Sequence, residues 1–200
     1  MMIAVKNPAS VEIVLKKSRF IGALIPCADE QDVPRHLKGF ADVHPHASHI
    51  VYAYRMKTAN GIIYRFHDAG EPTGTAGKPI FQQLEGKELI NVLLVVVRYF
   101  GGVKLGAGGL TRAYSNTASQ VIAAAELCPY IDWVTVPLTL DYKQIQPLEY
   151  LLKKLDGRIV AQDFAGQVKV QVQVPAGQVA VLLAAFAGDG REAVYVAGSG

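Results

Sequence analysis

Two glycine-rich segments hold most of the residues in this 200-residue chain whose types and spacing could do chemistry. The first runs Asp68-Ala69-Gly70-Glu71-Pro72-Thr73-Gly74-Thr75-Ala76-Gly77-Lys78-Pro79 and carries Asp68 and Glu71, the only carboxylates in either segment. Such a pair could work as acid and base, or as magnesium ligands. It could equally cap turns by accepting loop N–H groups. Gly77-Lys78 resembles the end of a Walker A motif. Pro79, however, stands where the magnesium-binding Ser/Thr belongs, and the upstream glycine is at the wrong distance. A P-loop NTPase is therefore not expected.

The second segment follows the apolar run Val92–Val97 and holds Gly101, Gly102, Gly106, Gly108 and Gly109, with Lys104 among them and Arg98 and Arg112 on either side. A glycine-rich turn that feeds a helix N-terminus presents N–H groups to an anion such as phosphate. The GxGxxG spacing of a dinucleotide site is missing, as is the acidic residue expected on a following strand, so no cofactor is expected. Arg98 stands beside Tyr99 and Phe100. An arginine next to exposed rings can hold a phosphate while a ring stacks on a base; the alternative is that both rings are core.

His44, His46 and His49 lie within six residues, with His67 further on. Pro45 extends the turn between the first two, and no helical His-x3-His pair exists, so no metal is expected. His44 and His49, with Thr75, are placed at the edge of a site as hydrogen-bonding groups. Ser18, Ser48 and Ser115 have no triad context. No catalytic constellation is recognised, and whether the chain is an enzyme is left open.

The elements that must position these residues are readable from periodicity. Val92–Val97 is short, unbroken and valine-rich, as in a strand buried on both faces. After it, Leu110, Ala113, Thr117, Ala118, Val121, Ile122 and Ala125 form one helical stripe. Upstream, residues 10–15 and 19–26 predict two strands around Lys16-Lys17-Ser18. Asp29 caps a helix running toward Val43. His49–Lys57 and Ile62–Phe66 form a hairpin about Asn60-Gly61. Ile80–Leu84 predicts a short helix. The two glycine-rich segments are expected to converge into one cleft with His49 and Arg55.

The pattern changes near residue 130. Leu138–Asp141, Arg158–Phe164 and Val168–Val174 predict strands, with a turn at Ala165-Gly166. Gln144–Leu155 and Val179–Phe186 predict helices, Pro175 opens the second of them, and Ala193–Val196 is a last strand. That order, βαββαβ, is ferredoxin-like. The expected division is therefore an α/β domain over 1–133 and a ferredoxin-like domain over 134–200, an α+β chain overall.

Composition narrows the function classes. Half the residues are hydrophobic, and the net charge is only +3. Residues 1–135 hold 14 Lys+Arg against 11 Asp+Glu, so nucleic-acid binding has to come from a local patch and not from bulk charge. Cys27 and Cys128 are far apart and form no zinc spacing, which suits free thiols in a reducing compartment. No apolar run approaches the ~20 residues of a membrane span. The N-terminus lacks the apolar stretch of a signal peptide. A cytoplasmic protein with no membrane partner is expected.

The runs Asp68–Pro79 and Val95–Ser115 closely resemble the signature of the IMPACT family and of its bacterial two-domain branch, the YigZ-like proteins. Lys17-Ser18-Arg19-Phe20-Ile21-Gly22, His44-Pro45 with Ala47 and His49, and Tyr52-Ala53-Tyr54-Arg55 match as well. The resemblance covers the N-terminal two-thirds of the chain; the last third matches in layout. One departure is visible: Ala69 stands where the family usually has a second Asp, which weakens any mechanism needing two adjacent carboxylates. The resemblance implies an N-terminal domain like domain 2 of ribosomal protein S5 and a C-terminal domain similar to domain V of elongation factor G. It also implies a tie to translational control, since eukaryotic relatives act through an activator of a starvation-sensing kinase.

The leading expectation is a nucleic-acid- or ribosome-associated regulator of translation. Its phosphate contacts would be Arg55, Lys78, Arg98, Lys104 and Arg112, with backbone donors from Gly101, Gly102, Gly106, Gly108 and Gly109. The partners would be RNA, the ribosome or a translation-control protein. An enzyme or binding protein for a small phosphorylated or nucleotide-like ligand, using Asp68 and Glu71, is the first alternative. A protein-interaction module is the second, because glycine also lets backbones pack closely.

Overall fold

A computed structural model describes residues 1–164 and 168–186. The chain divides into two compact units between Tyr130 and Ile131.

The first unit is built on a five-stranded antiparallel sheet: β2 (Ala9–Leu15), β3 (Ser18–Pro26), β6 (Val92–Tyr99), β4 (His49–Thr58) and β5 (Gly61–His67), in that spatial order. The unbroken apolar run of β6 is explained by its central place, since seven of its eight residues are buried. Its alternate side chains separate cleanly by face. Val92, Leu94 and Val96 join the core beneath α2 (Gly77–Gly86) and α3 (Gly106–Ala124). Leu93, Val95 and Val97 join the opposite core, which α1 (Val33–Val43) covers through Val33, Leu37 and Phe40. Each such residue contributes roughly 1.5–3 kcal/mol of burial. A small ribbon of β1 (Ile3–Val5) and β7 (Leu127–Pro129), too short to read from pattern, ties the two ends of the unit together.

Several expected boundaries move. Asp29 caps only a 3-10 turn, Glu30–Asp32, and the α-helix begins at Val33 with Pro34 in its first turn. The β4–β5 register pairs Thr58 with Gly61, so Ala59-Asn60 makes the turn, one residue earlier than Asn60-Gly61. The short helix around Ile80–Leu84 is a full α2 from Gly77. α3 starts at Gly106, so Gly108 and Gly109 lie inside its first turn and not in a loop.

The β2–β3 hairpin turns on Lys16 and Lys17, at φ 46° and 68°. Its tip lies against the exit of β6. A Cβ on Gly101 would sit 2.0 Å from the Lys17 carbonyl carbon and 2.5 Å from the Ser18 nitrogen. The Gly101 N–H donates to Ser18 Oγ at 3.1 Å, and the Phe100 N–H donates to Ser48 Oγ at 3.0 Å.

The second unit, described to Phe186, has β8 (Trp133–Leu140), α4 (Ile145–Lys154), β9 (Arg158–Asp163), β10 (Val168–Pro175) and α5 (Val179–Phe186). Its sheet order is β8-β10-β9, antiparallel throughout. Val168, Val170, Val172 and Val174 point into a core closed by Leu148, Leu152 and Leu182. β8 is longer than expected and runs through Pro137, which an outer strand tolerates because no ladder N–H is required there. Pro175 ends β10 and caps a 3-10 turn, Ala176–Gln178, that leads directly into α5. The Ala165-Gly166 turn and the Ala193–Val196 strand lie outside the described residues.

Gly101→Ala is expected to lower stability by about 1–3 kcal/mol, because a methyl group must displace backbone there. Urea unfolding checks it; an unchanged midpoint would show that the Lys17–Gly101 approach carries no constraint.

Candidate functional site

Asp68 and Glu71, three residues apart in the chain, turn in different directions and take different partners. Asp68 Oδ1 accepts the N–H groups of Ala76 at 3.1 Å and Gly77 at 2.8 Å, and Oδ2 accepts that of Gly74 at 2.8 Å. The carboxylate thus folds its own loop and satisfies the first amides of α2, whose N-cap Ala76 has no side chain to do so. Partial burial works to raise the Asp68 pKa. The three amide bonds, from Gly74, Gly77 and Ala76, outweigh it and hold the carboxyl below the usual aspartate range.

Glu71 is turned inward. Its Oε1 accepts from Arg98 Nη1 at 2.6 Å and from the Tyr114 hydroxyl at 2.7 Å. The Glu71 and Arg98 side chains are 3% and 6% exposed. Burial, and then the bond to Glu71, push the Tyr114 hydroxyl far above its ordinary pKa, so it stays a donor. The Arg98 guanidinium lies over the rings of Phe20 and Phe100, 5.5 and 5.6 Å from their centroids, and its buried Nε has no hydrogen-bond partner among the described residues. The arrangement joins three elements: the loop through Glu71, β6 through Arg98 and α3 through Tyr114.

The histidines anchor the same loop. His49 Nδ1 donates to the Ala69 carbonyl at 2.8 Å, and His67 Nδ1 accepts the Ala69 N–H at 3.0 Å. Since a carbonyl only accepts, the His49 proton must be on Nδ1. His49 Nε2 faces Glu71 Oε2 at 3.8 Å. Thr75, also buried, donates to the Pro72 carbonyl at 2.7 Å. His44 bonds the Tyr99 hydroxyl at 2.8 Å, linking the end of α1 to the end of β6. Among the described residues no group of three or more His, Cys, Asp or Glu is placed to hold a metal ion.

The first glycine-rich segment therefore meets the start of the second at Arg98, and His49 joins them. Arg55 does not. The β4–β6 register sets His49 opposite Arg98 but Arg55 opposite Val92, six residues along the strand and roughly 20 Å away. There Arg55 donates to the Leu89 carbonyl at 3.1 Å. Arg98 itself is committed to Glu71 and does not face solvent. The cations that do are Lys78, Lys104 and Arg112, all exposed. Gly102, Gly106 and Gly108 are exposed as well, while Gly101 and Gly109 are partly covered.

Sequence reading missed Tyr114, although Leu110, Tyr114, Thr117 and Val121 share its stripe; a ring hydroxyl on a buried stripe needs a partner. It also placed Lys16 and Lys17 only as the link between two strands.

The description "Impact N-terminal domain" fits residues 16–122, and "Domain of unknown function (DUF1949)" fits residues 138–187. A Thermus thermophilus relative, "IMPACT family member in pol 5'region", is 39% identical over 140 residues, 70% of this chain and 74% of that protein. The Escherichia coli "IMPACT family member YigZ" is 34% identical over 185 residues, 92% of this chain and 91% of its own. A crystal structure described as that of a hypothetical protein superposes with a TM-score of 0.68 at 33% identity, covering 93% of this chain and 91% of that one. The two-domain translational regulator Yih1 aligns over 60% of this chain and 46% of its own, at 21% identity and a TM-score of 0.36, too low to bear on shape or role.

Two outcomes follow from the site. Glu71→Ala leaves Arg98 buried without its anion and Tyr114 without its acceptor, and is expected to cost about 3–5 kcal/mol in urea unfolding; a loss below about 1 kcal/mol would show that the pair is not structural. Asp68 gives a pH signature. Its folded pKa lies below the unfolded value of about 3.9, so the unfolded chain takes the proton first as pH falls. The stability Asp68 contributes is present in full above that value and disappears as pH drops through the folded pKa. Asp68→Asn is expected to be less stable than the wild type at neutral pH, with the gap closing through that acid window; a gap independent of pH would contradict it.

Proposed function

The chain belongs to the IMPACT family, and from that membership we propose that it regulates translation by holding RNA, ribosomal RNA included, on the basic glycine-rich surface where β6 passes into α3. One observation carries this reading. From Leu89 to Ala125 the chain has no acidic residue, yet this stretch includes the exposed Lys104 and Arg112 and the whole of α3. The first turn of α3 has no acidic side chain and no side-chain cap, so its amides and their dipole point at solvent uncompensated. A polyanion is the partner such a surface favours, and phosphate contacts of this kind set position and affinity without sequence choice.

The reading changes the roles assigned to individual residues. Lys104 and Arg112 meet phosphate, Lys78 adds charge at the start of α2, and Arg98 acts behind them by fixing the strand end. Asp68 and Glu71 are internal acceptors that shape the loop, so no turnover is assigned to them. A cytoplasmic location belongs to the same proposal. Among the described residues no helix is long and apolar enough to cross a membrane.

The test is co-sedimentation with ribosomes and with total RNA across a salt series, for the intact protein and for Lys104→Ala/Arg112→Ala. Binding is expected to weaken steadily with salt. The double variant should bind less and show a shallower salt slope, by about 1.4–1.8 units for two lost phosphate contacts. Protein that stays in the supernatant at low salt would overturn the proposal.

A further inference from the structure

Phe100 is large, apolar and 49% exposed, directly after a strand in which Val92 to Arg98 are buried. Its position is fixed from both directions along the chain. Its own N–H is held by Ser48, the next N–H is held by Ser18, and the Arg98 guanidinium backs its ring. Such a ring is held in place and not left as a floppy loop side chain.

The surroundings of Phe100 are cationic. The hairpin tip Lys16-Lys17 reaches this point because Lys17 lies against Gly101. Lys104 follows three residues later, and Arg112 extends back toward Gly108, within 3.8 Å of where a Cβ there would lie. All four cations are exposed. Among the described residues none of the four has an ion pair, whereas Lys6, Arg19, Arg35 and Lys38 are each matched to a carboxylate. Two-residue hairpins prefer Asn-Gly at the positions Lys16 and Lys17 occupy, because both take positive φ. Lysine there costs about 1 kcal/mol or more for each residue. Both central positions of this turn are nonetheless cationic.

An exposed ring set among unpaired cations matches a polymer that offers a phosphate and an accessible aromatic face at every repeat. Single-stranded nucleic acid has both. A duplex offers only phosphates, since its base faces are stacked on one another. Resting on the RNA reading above, we propose that Lys16, Lys17, Lys104 and Arg112 form a single-strand-binding surface around Phe100, with phosphates on the cations and one base stacked on the ring. Phe100 gives the surface its preference for unpaired nucleotides, and the hairpin tip is its second basic wall.

The experiment is fluorescence anisotropy with a dye-labelled oligouridine of about 12 nucleotides and a duplex RNA of the same length, within the usual single-strand site sizes, at salt from about 50 to 200 mM. The single strand is expected to bind tighter than the duplex, although charge density alone favours the duplex. Phe100→Ala should weaken single-strand binding about 5- to 150-fold, the range for one stacked base, and leave duplex binding alone. Phe100→Leu keeps an apolar cover over Arg98, and so the fold, while removing the aromatic face; it should show the same loss. Phe100→Trp should retain binding. Lys16→Ala/Lys17→Ala should flatten the single-strand salt slope by about 1.4 units. Equal or tighter duplex binding, or Phe100 variants that bind like the wild type, would overturn this inference and leave the RNA reading standing. Absence of binding to either RNA at the lowest salt would overturn both.

Discussion

A carboxylate and a guanidinium withdrawn from water are tolerable only in each other's company, and Glu71 with Arg98 meet that condition at 2.6 Å. The constraint reaches well beyond the two residues. Glu71 can meet Arg98 only if the loop after β5 bends back over the end of β6, and the loop can bend only because Asp68 gathers its amides from inside. Tyr114 adds the requirement that α3 lie at one rotation about its axis, hydroxyl toward the carboxylate. The positions of Phe100, Gly101 and the start of α3 are consequences of that junction. Asp68, Glu71 and Arg98 of the two signature segments are thus spent on internal bonds, and the groups left facing solvent are Lys78, Lys104, Arg112 and the Phe100 ring.

The parts of this architecture visible in the sequence were those with a simple period. β6 announced itself by an unbroken valine-rich run, and α3 by its stripe from Leu110 to Ala125. β10 did so by strict alternation of valines. Helix starts were less legible, since glycine belongs equally to loops and to a first helical turn; α2 and α3 both begin on it. Arg55 shows a different limit. Its motif neighbours suggested the cleft, but only the register of β4 on β6 decides which end of the strand a residue reaches. Exposure of Arg98 was equally unreadable, because it depends on an acceptor twenty-seven residues away.

Ala69 puts the family signature in a different light. Its backbone has φ of 50°, a conformation that Asp and Asn adopt more readily than alanine does. The second aspartate that the family resemblance implies at this position would suit that backbone on conformational grounds alone. Here the amide of Ala69 is gripped from both sides, its N–H by His67 and its carbonyl by His49. Those two bonds hold the strained turn without a side chain to help.

The two long hairpins of the sheet also differ in how freely they can be edited. The β4–β5 turn at Ala59-Asn60 ends on Gly61, around which a side chain would meet nothing within 4 Å. The β2–β3 turn is locked against the exit of β6 by the close approach of Lys17 to Gly101 and by the Ser18 hydroxyl. Loop-closure entropy grows slowly with length, so the Ala59-Asn60 tip is a natural seat for a spliced peptide, a label or a tethering tag. The Lys16-Lys17 tip is not, because any added residue would wedge the sheet apart where Gly101 passes. A change of length therefore has room at one corner of the sheet and none at the other.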